Sequence, residues 1–228
     1  MKFMPTFALL GILSLFPTFA TAQTPPPANT RENFMVVVRE SVGANRTEDA
    51  FVPTGKMKAK LSDGREIEVE IASWEFIGDT HIRFVFDGPQ SMVNATPKDL
   101  ERLGINGVDD ALAVAMANLK RVYGEPSATP WTGGLMEVEG KSPDLNSSYF
   151  LDRAYWLALS KNHPEGVIVC VPKRGGLLYA SLSNMQAVDA LKRNVWELYA
   201  SSQRLRVSSA LYLFKNGKWS VFQAAIKQ

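Results

Sequence analysis

Lys173-Arg174-Gly175-Gly176 is where residue types and spacing in this chain most directly offer chemistry. Two cations and two glycines follow the continuous apolar run Val167 to Pro172. Glycines after a buried strand let backbone N–H groups turn toward a ligand, and an arginine presents a planar fork that matches phosphate or carboxylate. The same two glycines also suit a β-bulge or a hairpin corner, so the four residues are read both as an anion site and as a structural corner. Catalytic signatures are missing: there is no G-x-S-x-G, G-x-x-x-x-G-K-[ST], H-E-x-x-H or G-x-G-x-x-G. Nitrogen and sulfur ligands are limited to His81, His163 and Cys170, so neither a metal site nor a cofactor is expected. Both histidines read as ordinary residues, His163 in a surface loop and His81 at the start of a strand. Cys170 lies in the most apolar run, where burial keeps a thiol inert.

Charge is segregated along the chain. The formal net charge is +2, yet residues 23–171 carry 15 Lys or Arg against 21 Asp or Glu, and residues 172–228 carry 9 against 2. Such a basic carboxy-terminal part can attract an anionic ligand or protein partner, or it can pair with the acidic part of the same fold. No feature points to a specific nucleic acid.

The amino terminus reads as an address. Lys2 precedes an uncharged stretch from Phe3 to Ala22 that ends with small residues at Ala20 and Ala22, the order of a cleavable signal peptide. Pro5 and Pro17 count against an uncleaved spanning helix. Cleavage is expected after Ala22, leaving no transmembrane anchor and placing the protein in the periplasm or outside the cell. Residues 23–29 form a proline-rich leader, and residues 30–228 suffice for one α+β domain that needs no disulfide.

The elements that must position these residues follow from periodicity. Thr30 to Val42 fits a helix capped by Asn29 or Thr30, with a strand over the continuous Met35–Val38 run as the competing reading. Met57 to Ile71 alternates as a hairpin around Ser62-Asp63-Gly64-Arg65, with Lys56, Lys58 and Lys60 facing Glu66, Glu68 and Glu70. His81–Asp87 reads as a strand. Thr96-Pro97 opens a short helix, and a second helix runs from Val108 to Tyr123. A loop carrying Trp131 leads to a strand at Leu135–Glu139; that tryptophan either recognises a ligand or folds back onto the core. Ser147-Ser148 is expected to cap a helix to Leu159, and Asn184–Ser201 shows the clearest helical spacing. The chain closes with a hairpin turning at Asn216-Gly217. Strands and helices mix without a βαβ repeat, which predicts an α+β fold with a mixed or mainly antiparallel sheet, hairpins near both ends and three to five packing helices.

The carboxy-terminal half resembles the YtpQ-like family of uncharacterised bacterial proteins. The resemblance rests on Ser148 with Leu151-Asp152, on Gly166 to Arg174, on Leu177-Leu178, and on the Ser208–Phe214 segment with its Asn216-Gly217 turn. Where that family places an aspartate after the proline-x-arginine pair, this chain has Gly175. The resemblance implies a bacterial source and an α+β domain, and brings no activity with it. From the charge split and the missing catalytic signatures, an exported binding or interaction module is expected, using Lys173, Arg174, Gly175 and Gly176. The alternatives are a hydrolase working with carboxylates such as Asp87 or Asp152 beside Arg174, and a structural partner in envelope assembly.

Overall fold

The computed structural model describes residues 29–226 of the 228. The expected signal segment, residues 1–22, and residues 23–28 of the leader lie outside that range. Two antiparallel sheets carry the fold, which is α+β as the element pattern predicts. The first is built from β1 (Phe34–Glu40), β2 (Val52–Pro53), β5 (Ser73–Glu75), β6 (Thr80–Asp87) and β7 (Met92–Asn94). Its order is β1-β6-β5-β2, with β7 sharing the second edge of β6. The hairpin β3 (Lys56–Lys60) and β4 (Glu66–Glu70) stands apart as a two-stranded ribbon. It keeps the expected lysine-to-glutamate register, Lys56 opposite Glu70 and Lys58 opposite Glu68.

β1 corrects the helix expected over Thr30–Val42. The polar residues read as an N-cap instead close a turn, in which the Thr30 N–H donates to Asn33 Oδ1 at 3.0 Å. Val36, Val37 and Val38 then run extended, as β-branched side chains favour, and Phe34–Val38 are buried throughout. β1 pairs on one side with β6. On the other side its backbone is met by side chains: Ser148 Oγ donates to the Val36 carbonyl at 2.8 Å and Asn118 Nδ2 to that of Phe34 at 2.9 Å. Polar contacts of this kind satisfy strand carbonyls that have no ladder partner.

Helices α1 (Pro97–Arg102) and α2 (Gly107–Tyr123) follow. Thr96 caps α1 in a reciprocal box with Asp99 behind Pro97, as expected. The second sheet has the order β13-β12-β10-β11-β9-β8. Its strands are β8 (Ser127–Pro130), β9 (Met136–Glu139), β10 (Val167–Lys173), β11 (Gly176–Ser181), β12 (Leu211–Lys215) and β13 (Lys218–Gln223). The helix expected from Ser147 is divided. Pro143–Leu151 is 3₁₀, and α3 (Arg153–Ser160) starts only at Asp152, whose carboxylate accepts from the Tyr155 N–H at 3.2 Å. Ser147 and Ser148 are not caps, because Ser148 is engaged with β1.

The second sheet is apolar on both faces. Ile168, Cys170, Leu178, Ala180 and Leu211 pack under Val188, Leu191 and Val195 of α4 (Met185–Ser201). Burial pushes the Cys170 thiol up to about 12, consistent with an inert core cysteine. The opposite face, with Val169, Tyr179, Tyr212 and Phe214, joins Phe76, Phe150, Trp156 and Trp219 in the larger core against the first sheet.

A buried polar knot fastens the two sheets. Asp79, in the turn between β5 and β6, accepts hydrogen bonds from Ser208 Oγ and, at 3.0 Å, from the Tyr212 hydroxyl. Gly78 has a φ of +64°, and a Cβ there would lie 2.7 Å from the Tyr212 ring, so only glycine lets the turn approach this closely. Burial holds the Asp79 carboxyl above the ordinary aspartate value, outweighing the two hydrogen bonds. A raised carboxyl contributes stability that is complete below the unfolded pKa and lost as pH rises through the folded one. Asp79→Asn keeps an acceptor for Ser208 and Tyr212 but cannot ionise. Its urea midpoint relative to the parent protein should therefore climb as pH rises from about 4 to 7. Parallel profiles would show that Asp79 ionises without cost.

Candidate functional site

The register of the first sheet assembles a cationic face. Antiparallel partners share a face, so the pairs Val37–Arg83, Arg39–His81, Val85–Asn94 and Asp87–Met92 all project the same way. Two arginines thus stand on adjacent strands among buried valines. A third descends from the second sheet. Lys173 pairs with Gly176 around the turn Arg174-Gly175, and that turn is held from two sides. The Arg174 N–H donates to the Leu205 carbonyl at 3.0 Å, and the Arg174 carbonyl accepts from the Ser147 N–H at 3.0 Å. Since the neighbouring Ser148 is bonded to β1, the backbone of Arg174 is tied to the strand that carries Arg39.

Arg39, Arg83 and Arg174 line one cavity of about 460 Å³. Val37 and Val85 form its floor, while Met92, Asn94, Asp144 and Leu205 stand exposed around it. Among the described residues, no carboxylate lies within salt-bridge distance of any of the three arginines. Glu75, across from His81 on the same face, is taken by Arg46 at 3.5 Å. Burial first, then the charges of Arg174 and Arg83, push the Arg39 guanidinium down to about 10. Arg83 is lowered by burial and by Arg174. His81 is driven down to about 4 by burial and by Arg83 and Arg39, so it is neutral at pH 7. Its Nε2 accepts from Arg83 Nε at 2.8 Å, which puts the ring proton on Nδ1 and aims the Arg83 fork. Arg174 Nε is buried with no hydrogen-bond partner, and so is the hydroxyl of Ser73, directly across from Arg83 on β5.

Of the four residues singled out by sequence, Arg174 alone lines this cavity. Lys173 is exposed and borders a separate cleft with Ser201 to Leu205. The glycines serve close approach: a Cβ on Gly175 would sit 2.5 Å from the Pro143 carbonyl oxygen, and one on Gly176 would sit 2.9 Å from Lys173 Cγ. The hairpin-corner reading describes both. The N–H of Arg174, expected to face a ligand, is spent on Leu205. Asp87 accepts from the Tyr123 hydroxyl at 2.5 Å and Asp152 pairs with Lys120 at 2.7 Å, so neither carboxylate is among those lining the cavity with Arg174.

The two cavities of larger volume are different in character. In a cavity of about 540 Å³, Asp49 meets Arg153 at 2.7 Å and the Trp219 N–H at 2.9 Å. A cavity of about 670 Å³ holds Trp131 and Trp196 with Glu197 as its one charged residue. Trp131 does not fold back onto the core, being 42% exposed. Among the described residues no group of three or more His, Cys, Asp or Glu is placed to hold a metal, and no helix is long and apolar enough to cross a membrane. In comparisons with known proteins, no family model, curated protein or solved structure matches the chain.

Three half-buried like charges cost stability in the absence of a counter-ion. Arg174→Gln removes the charge that acts on both other arginines. It should raise the thermal midpoint at low salt by ~2–4 °C, the equivalent of about 1 kcal/mol for a chain of this size. A fall of that size would mean that Arg174 stabilises the fold.

Proposed function

We propose that this protein is an exported binding module that captures an anionic ligand between its two sheets. The observation that carries the reading is the convergence of Arg39, Arg83 and Arg174 on one cavity with no carboxylate of the described residues in pairing distance. Guanidinium groups suit this role because each offers paired N–H donors in fixed geometry and keeps its charge when partly desolvated. Arg174 Nε and Ser73 Oγ are buried donors still to be satisfied. An oxyanion at the centre of the cluster would cancel the mutual repulsion. The apolar floor matches the general build of small-molecule sites, mostly apolar with a few convergent polar groups. Export is supported by the order of residues 1–22, and membership of the YtpQ-like family belongs to the same proposal.

Binding that occurs only in the folded state raises stability by mass action. Phosphate added at constant ionic strength should raise the thermal midpoint of the parent protein progressively. Arg39→Gln and Arg174→Gln should abolish that rise, while Lys192→Glu, on α4 away from the cavity, should keep it. Equal responses in all four proteins would refute the site.

A further inference from the structure

The same cavity also carries a reading of which anion it takes. Its lining sets three arginines against one carboxylate, Asp144, which is exposed and therefore screened by water. His81 adds no charge at neutral pH. The pocket thus holds a surplus of at least two positive charges, more than one carboxylate or sulfate ester neutralises. Its volume, about 460 Å³, lies in the range of small-molecule sites and exceeds what a bare inorganic ion fills. Val37, Val85, Met92 and Leu205 supply apolar lining for an organic group beside the charged end.

Resting on the anion-site reading above, we infer that the ligand is a phosphate monoester, bound as its dianion by Arg39, Arg83 and Arg174 with its organic group over Val37 and Val85. A monoester phosphate offers three terminal oxygens for three guanidinium forks, and its second ionisation falls near pH 6. Binding then weakens below that pH because the ligand loses a charge. Around the site the titratable and charged groups are Arg39 on β1, Glu75 on β5 with its partner Arg46, and His81, Arg83 and Asp87 on β6, the last engaged by the Tyr123 hydroxyl. Asp144 comes from the 3₁₀ segment and Arg174 from the β10–β11 turn. His81 stays neutral down to about 4, so it does not restore the lost attraction between pH 7 and 5.

Calorimetric titration of the purified protein with phenyl phosphate, phenyl sulfate and benzoate holds the organic group constant while charge and geometry change. At pH 7.5 phenyl phosphate should bind on the order of tenfold more tightly than either comparator. That advantage should shrink toward unity at pH 5, and Arg39→Gln should remove it. Phenyl sulfate binding as tightly as phenyl phosphate at both pH values would overturn the phosphate assignment and leave the anion site standing. No binding by any of the three, together with no midpoint rise in inorganic phosphate, would overturn both. The ester's source is read in parallel with phosphatidylcholine vesicles carrying phosphatidic acid or phosphatidylglycerol. Sedimentation with phosphatidic acid alone, reversed by phenyl phosphate, marks a lipid headgroup. Phenyl phosphate binding without sedimentation marks a soluble ester. Either supports the assignment, whereas equal sedimentation with both lipids, insensitive to phenyl phosphate, counts against it.

Discussion

The attachment of one sheet to the other governs everything else in this molecule. It is made by buried hydrogen bonds to particular backbone and side-chain atoms. Asp79 receives Ser208 and Tyr212 at one end of the contact, and Val36 receives Ser148 along β1. Apolar packing between Phe76, Phe150 and Tyr212 supplies the bulk of the attraction, but it is non-directional. Each polar partner left unpaired in such a core costs about 1–3 kcal/mol, so the hydrogen bonds fix the relative placement of the sheets. Through Ser147, Ser148 and Leu205 that placement extends to the β10–β11 turn, and hence to Arg174 above Arg39 and Arg83.

Against that rigid frame the arginine cluster is an exception to the electrostatics of the rest of the chain. Buried carboxylates elsewhere have partners: Asp49 meets Arg153, Asp152 meets Lys120, and Asp79 has two hydroxyls. A fold under selection for stability alone has no reason to gather three guanidinium groups and a neutral histidine with no carboxylate of the described residues in pairing distance. Violations of local consistency that the surrounding structure sustains concentrate at functional sites. His81 illustrates the point. Protonated, it would add a fourth positive charge; neutral, it accepts from Arg83 and orients it.

Much of the scaffold was legible in the sequence. The hairpin turning at Asn216-Gly217 forms where expected, both residues at positive φ, and Val167–Pro172 is buried on both faces. Thr96 and Asn184 cap their helices through their side chains. Two local signals misled. Asn29 and Thr30 look like a helix start, but Thr30 closes a turn with Asn33, because the valines that follow fit a buried strand better than a helix face. Ser147 and Ser148 resemble caps, yet their partners are Arg174 and Val36, distant in sequence. The site was legible only in part. Arg174 stood out beside its glycines, whereas Arg39 and Arg83 belong to the part of the chain with an acidic balance, and overall charge segregation pointed away from them. The available signal was finer: Arg83 interrupts the apolar run Ile82–Phe86, and Arg39 follows directly on Met35–Val38. A cation inside a strand of that kind calls for a partner, and only the strand register shows that its neighbours are cations too.

The most direct test of the anion site is the anomalous-difference map of a crystal equilibrated with selenate, a heavy-atom mimic of tetrahedral dianions. A selenium peak within hydrogen-bonding reach of Arg39, Arg83 and Arg174 is the predicted result. Selenate bound elsewhere, with the three arginines turned to carboxylates of the chain itself, would contradict the account.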